Sequence, residues 1–459
     1  KGRPQSSSPN NPNKPTGEPM MIRDRVQYVP AGLEAWTSVT GQAYVKLEKN
    51  KEKSIMRGPG YKEVRLHDRT IYIIQNSTKL HRLIDKKLDC DYMVPFQNPV
   101  ELEGRIGLVL VNPVHADKSF HNIFRPHGIK IISDSGGFQM LRGIVDFVHP
   151  KVPVKFYNEH TDIGMPLDLP MRTALEPVFF DAVTRMMKAN DAYMLPRLKE
   201  GVQLAVVSHG SSVEMRKRRL DAIYRPTPVI AIAGLNTLTD TVDLNKNITA
   251  LTNALYVISQ TRDTTDYYHF LGVTSRFWFI IYALLVGTGY VKSCGGDSVS
   301  HRMAAITGMY KHQLTYDGGR ALTIKKINHH SVNTACPCSI CVGFSDLNLL
   351  ANFQYSESHH IWYAEQEKDL ICDSVENYLA GKLTLKAIAD QWLAAGQYEI
   401  LAYCVEYVER VVRKGFFQKA TKTKGLFEKA AAPIPEAARE HYTKVIRNYE
   451  KFHKKRFLK

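Results

Sequence analysis

Short apolar runs alternating with helix-length segments constrain this chain more than any other feature. The runs Thr70–Gln75, Ile106–Val111, Ile129–Ser133, Gly164–Leu169, Leu204–Ser208, Val229–Gly234, Tyr268–Val273 and Tyr290–Gly295 have strand length and composition. Among them, Pro177–Ala192, Val213–Ile223 and Arg276–Leu285 carry apolar residues at helical spacing. Alternation sustained over about 230 residues predicts parallel strands joined by crossover helices. About eight strands without a dinucleotide fingerprint predict a (β/α)8 TIM barrel rather than a doubly wound sheet. In a barrel, functional groups gather at the C-terminal ends of the strands. Those ends carry Asp134, Asp168, His209, Gly234, Gly272 and Asp297.

One strand end stands out. Ile129–Ser133 stops at Asp134, and Ser135, Gly136, Gly137, Phe138 and Gln139 follow. Paired glycines let the backbone turn sharply and leave room for a flat ligand against the main chain. Two readings fit the acid: an Asx-type turn that ends the strand, or a carboxyl presented to whatever lies on the glycines. The alternating stretch Val145–Tyr157 then predicts a hairpin over or in the mouth.

Charge narrows the partner. The chain has 459 residues, 44% hydrophobic, with a net charge of +16 and a pI near 9.3. Small-metabolite enzymes rarely need so basic a balance, which points to a polyanion such as nucleic acid. The length supports one core of about 250–300 residues plus an extension. Phe277–Val286 is the most apolar run and is too short to span a bilayer. We therefore expect no membrane partner. Seven cysteines, an odd number with three clustered, fit a reducing, cytoplasmic setting better than a disulfide framework.

That cluster is Cys336, Cys338 and Cys341. Three thiolates on a proline-bearing turn can face one ion, with structural Zn²⁺ the usual guest. An iron–sulfur cluster and three free thiols are the other readings. A fourth ligand is needed to close a zinc site, and His359 and His360 follow on an apparent helix. Beyond it, Leu379–Ala394 and Gln397–Val412 have amphipathic helical spacing. The end interleaves Lys444, Arg447, Lys451, Lys454, Lys455, Arg456 and Lys459 with Tyr449, Phe452 and Phe457. Such a segment can track phosphates and stack on bases, or pack its aromatics on the core as a solvated basic helix. Four parts result: a disordered tail over 1–19, a barrel catalytic domain over 20–335, a zinc-binding subdomain over 336–373 and a helical basic extension over 374–459.

The string Asp134-Ser135-Gly136-Gly137-Phe138-Gln139 resembles the signature of the tRNA-guanine transglycosylase superfamily. Members exchange guanine for a 7-deazaguanine without cutting the nucleic-acid backbone. Weaker matches follow in family order across Ile71–Asp373. Met165–Asp168 resembles the strand whose acid reads the guanine edge. Val206–Gly210 lies where the family has Gln-Gly, with His209 replacing an amide. Ile232–Leu235, containing Gly234, resembles a Gly-Gly-Leu that contacts the base, and His269–Val273, containing Leu271 and Gly272, a strand that lids it. The family closes its Cys-x-Cys-x-x-Cys turn with a histidine on a later helix, and His359 matches it.

The resemblance implies Asp297 as nucleophile and Asp134 as general acid and base. It further implies Asp168 as the guanine reader, with Ser135, Gly136, Gly137, Phe138, Gln139, His209, Gly234, Leu271 and Gly272 around the base. The sequence departs from the tRNA enzymes at the nucleophile, where Gly295-Gly296-Asp297 stands in place of their Phe-Asp and Asp297 is the only acid available for the role. Their Pro-Thr-Arg stretch, which grips the anticodon loop, is replaced by Ser298–Arg302. This directs the expectation to the branch that inserts 7-deazaguanine into DNA, with other DNA-modification proteins as partners. A tRNA enzyme and an inactive nucleic-acid-binding homologue are the alternatives.

Overall fold

The computed structural model describes residues 20–31, 43–45, 61–66, 69–74, 93–95, 107–113, 125, 128–171, 175–235, 243–306, 310–312, 322–324, 353–416 and 436–458. The fold is mixed α/β with parallel sheets. In chain order the described strands are β1 Val26–Pro30, β2 Ala43–Val45, β3 Tyr61–Leu66, β4 Arg69–Ile74, β5 Met93–Pro95, β6 Leu108–Val111, β7 Lys130–Ser133 and β8 Ile163–Gly164. They continue with β9 Gln203–Leu204, β10 Val206–Ser208, β11 Val229–Ile232, β12 Tyr267–Phe270, β13 Ser293–Ser298, β14 Tyr310–His312 and β15 Leu322–Ile324.

Two sheets are wholly parallel, in the orders β1-β13-β12-β11-β10 and β6-β7-β8-β9. The ladders form two sheets, not one continuous ring. At one margin Ala31, just past β1, makes an isolated parallel bridge to Leu110 in β6. At the other, Ala205 alone separates β9 from β10. The β6 run Leu-Val-Leu-Val and the β11 run Val-Ile-Ala-Ile are buried at every position. Strands covered on both faces need such unbroken apolar runs.

Helices Glu176–Met194, Val213–Ile223, Leu244–Thr261 and Arg276–Gly287 lie between the later strands in sequence. Side-chain oxygens of Ser212, Asp243 and Ser275 cap three of them, satisfying amides that lack a helical acceptor. Phe277–Val286 is buried throughout, so this helix sits inside the core. It packs against Phe353–Leu379 and Tyr398–Lys414. Each fully buried large side chain there contributes about 1.5–3 kcal/mol. Lys368 pins Phe353–Leu379 to the start of the chain, donating to the carbonyls of Arg23 at 3.2 Å and Val26 at 3.1 Å. That helix crosses the 373/374 boundary without interruption.

The C-terminal helix Glu436–His453 turns Tyr442, Val445, Ile446 and Tyr449 inward, the one-face spacing of an amphipathic helix. Tyr442 donates its hydroxyl to the Pro170 carbonyl at 2.6 Å, and Tyr449 to that of Val148 at 2.8 Å. His453 and Asn190 meet at 2.7 Å. The described parts of this C-terminal stretch are helical, and its described end is docked on the core.

Three expectations change. Thr70–Gln75 falls on β4, within the antiparallel order β3-β4-β2-β5. The strand beside β13 is instead β1, hidden in the sequence behind the charged Arg23-Asp24-Arg25. Gly164–Leu169 yields only the two residues of β8, since Pro166 lacks an amide for a ladder. Val145–Tyr157 forms no hairpin, because Lys151–His160 is a helix. Pro150 at its cap and Pro153 in its first turn stand where a missing N–H costs nothing. Residues 1–19 and Cys336, Cys338 and Cys341 lie outside the described residues.

Candidate functional site

Consecutive parallel strands bring their C-terminal ends to one side, and the candidate residues sit there. Asp134 follows β7 and its amide donates to the Val111 carbonyl at 2.8 Å. One carboxylate oxygen accepts from the Ser135 amide at 2.7 Å, the other from Asn112 Nδ2 at 3.1 Å. The same Nδ2 donates to Gln139 Oε1 at 2.7 Å. Beneath, the buried Tyr157 hydroxyl contacts the carbonyls of Asp134 at 3.0 Å and Met165 at 2.8 Å. The Ser135 contact is to the very next amide, one residue short of the bond that defines an Asx turn.

The glycine pair is required on steric grounds. Gly136 has φ +89°, in the left-handed region. A Cβ on Gly137 would lie 2.6 Å from both the carbonyl and a carboxylate oxygen of Asp168. The turn thus fits against Asp168 with no room for a side chain.

Asp168 is 5% exposed. Its Oδ1 accepts from Ser135 Oγ at 2.9 Å, and its Oδ2 meets His209 Nε2 at 2.5 Å. An ionised carboxylate only accepts, so the His209 proton on that contact belongs to Nε2. Arg216, also buried, fixes the neighbouring strand ends by donating to the Ser208 and Ala233 carbonyls, each at 2.8 Å. His209 follows Ser208 directly, so its position is set from below.

Asp297 lies on β13 opposite Val29 of β1. Its Oδ1 accepts from the Gly272 amide at 2.9 Å and contacts His269 Nε2 at 3.0 Å. His269 is buried in β12, with its Nδ1 3.1 Å from the Tyr267 hydroxyl. A ring N–H at Nε2 donating to Asp297, with Nδ1 turned to the Tyr267 hydroxyl, satisfies both contacts. Two donors hold Oδ1, while among the described residues no hydrogen bond or ion pair engages Oδ2. The preceding Gly295 and Gly296 allow this approach: a Cβ on Gly296 would lie 2.1 Å from the Val273 carbonyl.

The three carboxyls share one field. Burial above all, then Asp168 and, more weakly, Asp297, push the Asp134 pKa from 3.8 up to about 7, against hydrogen bonds from Ser135 and Asn112 that lower it. A carboxyl so tuned holds a proton near neutrality and can give it up, the property of a general acid and base. Asp134 is only half-buried as a residue; its carboxyl is nonetheless enclosed by the turn, Asn112 and Tyr157.

The remaining expected residues divide. Phe138 is 50% exposed, with the Arg142 guanidinium over one face of its ring. Gln139 is tied to Asn112. Gly234 and Gly272 both take positive φ, and Leu271 packs half-buried on the core. His359 is fully buried on its helix, while His360 lines a cavity near Arg276. Among the described residues no group of three or more His, Cys, Asp or Glu gathers as a metal site. On the C-terminal helix and the residues after it, Arg447, Lys451, Lys454, Lys455 and Arg456 are exposed. Lys444 is exposed too, and forms an ion pair with Asp146. Tyr449 and Phe457 are buried, and Phe452 packs on His149 and Tyr193. The tail's aromatics therefore serve the core rather than stacking on bases.

Sequence reading missed Asn112, Tyr157 and His269. Asn112 and His269 sit at or beside strand ends, where position alone was a usable signal. Tyr157 was lost with the misassigned hairpin. Among the described residues no helix is long and apolar enough to cross a membrane. No protein-family model and no curated protein sequence matches this chain.

Proposed function

We propose that this chain is a base-exchange enzyme that replaces guanine in DNA with a 7-deazaguanine through an aspartyl–sugar ester. One observation carries the reading: Asp134, Asp168 and Asp297 collect at strand ends, and their mutual field with burial holds Asp134 near pKa 7. We further read the two parallel sheets as arcs of one (β/α)8 barrel. The Ala31–Leu110 bridge and the single-residue step at Ala205 supply the two seams.

Asp297 Oδ2 attacks C1′ of the target nucleotide while the C1′–N9 bond breaks, its electron pair leaving on N9. The Asp134 carboxyl protonates the departing guanine, and the sugar remains as an ester on Asp297. Asp134, now ionised, takes the N9 proton from the incoming 7-deazaguanine. That nitrogen attacks C1′ and the Asp297 carboxylate is released. Two inversions give retention, as in retaining glycosidases. Gly272 and His269 hold Oδ1 and steady the leaving carboxylate. Ser135 and His209 each occupy one acceptor position on Asp168. One lone pair per oxygen stays available for guanine N1–H and its 2-amino group, a pair of donors that adenine lacks. In duplex DNA the nucleotide must first be flipped from the stack.

Zinc belongs to the proposal as a structural ion. Three thiols from Cys336, Cys338 and Cys341 with one imidazole suit tetrahedral Zn²⁺, and fully buried His359 suits that role better than the cavity-lining His360. The exposed cations Lys444, Arg447, Lys451, Lys454, Lys455 and Arg456 are read as phosphate contacts.

Labelled guanine offered with duplex DNA, single-stranded DNA and tRNA tests the reading. Incorporation into DNA, lost in Asp297→Ala with nucleic-acid binding retained, is expected. Incorporation into tRNA alone would refute the DNA assignment. A trapped sugar adduct on any acid other than Asp297 would refute the assigned nucleophile.

A further inference from the structure

We infer that the C-terminal helix Glu436–His453 is the positioning element of Asp168, and that Tyr442 and His453 are the residues through which it acts. The inference rests on the base-exchange reading and deepens it, since Asp168 reads the base there. Both residues lie beyond Asp373, outside the stretch that carries the family resemblance.

The backbone around Asp168 is held from outside its own strand. Strand β8 ends at Gly164, and Pro166 and Pro170 have no amide to continue a ladder. Among the described residues no strand pairing reaches Asp168. Hydrogen bonds to the carbonyls on either side of it take that place. Asn190 Nδ2 donates to the Leu167 carbonyl at 2.8 Å, and the Tyr442 hydroxyl donates to the Pro170 carbonyl at 2.6 Å. Asn190 is fully buried and is held in turn, with its Oδ1 2.7 Å from His453 Nε2. The Leu167 carbonyl can only accept, so Nδ2 faces it and Oδ1 faces the imidazole, which donates from Nε2. Both supports therefore start on one helix. Tyr442 and His453 are about three turns apart, roughly 16 Å along the axis. Between them Tyr449 anchors the helix to the Val148 carbonyl.

The site leaves Asp168 little slack. A Cβ on Gly137 would lie 2.6 Å from its carbonyl and from its carboxylate, so the turn after Asp134 already fills that side. Ser135 and His209 bond its two oxygens. A recognition group must be held within about 0.5 Å and 10–20° of its working geometry. Without the bond at Pro170 or the one at Leu167, the carboxylate can drift by that much. The second of its two hydrogen bonds to the base is then the first to be lost. The Tyr442 ring packs on Phe179 with centroids 5.6 Å apart, so the ring keeps its place when only the hydroxyl is removed.

The test offers full-length protein labelled guanine and labelled hypoxanthine, which lacks the 2-amino group and so one hydrogen bond to Asp168. Exchange kinetics and equilibrium dialysis are both measured. Wild type is expected to favour guanine by about tenfold or more in kcat/KM and in Kd. Tyr442→Phe should narrow that preference to about threefold, by raising KM for guanine more than KM for hypoxanthine. Tyr449→Phe removes the same kind of bond from the same helix, away from Asp168, and should keep the wild-type preference. His453→Leu should narrow the preference, and His453→Gln, which keeps a donor, should restore it. That pair decides the matter if Tyr442→Phe does not fold. An unchanged preference in Tyr442→Phe and His453→Leu, or one narrowed equally in Tyr449→Phe, would overturn the inference and leave the helix a purely structural part. Dialysis separates this failure from that of the base-exchange reading. A preference for guanine in binding that the variants narrow, without exchange into any nucleic acid, would sustain the positioning role and overturn base exchange. No preference in wild type by either assay would overturn the inference.

Discussion

Asp134→Asn is expected to stabilise the fold while abolishing exchange. The Asp134 carboxyl, ordinarily at 3.8, is held at about 7 by burial and by Asp168 and Asp297. Below about pH 4 it is protonated in folded and unfolded chains alike, and the fold loses nothing. As pH rises through that interval, the unfolded chain releases its proton and the folded chain keeps it, so stability falls. Above about pH 7 the folded carboxyl ionises in place and the whole penalty is present. The gap between 3.8 and about 7 corresponds to about 4 kcal/mol, at about 1.4 kcal/mol per pH unit.

Asparagine does not titrate, but it loses one of the two acceptor contacts, at about 1 kcal/mol. The variant should therefore exceed wild type by about 3 kcal/mol near pH 8 and roughly match it near pH 4.5. Urea unfolding at the two pH values measures this. An equal difference at both, or a variant less stable near pH 8, would refute the assigned environment. Wild-type kcat/KM for exchange should decline above about pH 7 as the acid ionises.

Gly137→Ala should cost about 1–3 kcal/mol, because its Cβ would sit 2.6 Å from the Asp168 carbonyl and carboxylate; a thermal scan and the KM for the base should both move. Changing Arg447, Lys451 and Lys455 together to glutamine should flatten the salt dependence of DNA binding by about 0.7–0.9 per lost phosphate contact, leaving base choice intact. Tyr449→Ala acts differently, removing a buried ring at about 3–5 kcal/mol, seen as lower stability in urea. Cys338→Ala should release zinc in metal analysis, and His359→Ala should do the same while His360→Ala does not.

The parallel architecture was legible because several of its strands are short apolar runs, of which β6 and β11 are the clearest. Short-range pattern failed where another effect dominates. β13 reads Ser-Cys-Gly-Gly-Asp-Ser, poor in strand formers, because its glycines admit the Gln27 and Val273 carbonyls. β1 is short and follows charges. Lys151–His160 alternates in sequence, yet its prolines occupy helix-start positions and Val154, Tyr157 and His160 face inward. The site was legible at its acids, since strand ends could be located. Their partners were not, because Asn112, Tyr157 and His269 meet the acids only through tertiary packing. The tail's charge could be read directly, whereas the burial of Tyr449 and Phe457 depends on surfaces hundreds of residues away.

The docking of Glu436–His453 places the mouth late in the order of assembly. His441 contacts the Met140 carbonyl across 301 positions, and Tyr442 that of Pro170 across 272. Met140 closes the turn that opens at Asp134, and Pro170 lies two residues beyond Asp168. A ribosome delivers both acids long before the helix that buckles their loops, and contacts of such sequence separation form last. The nascent chain can pair its strands before this helix exists, so the loops that carry both acids gain their clasp only after it has been made.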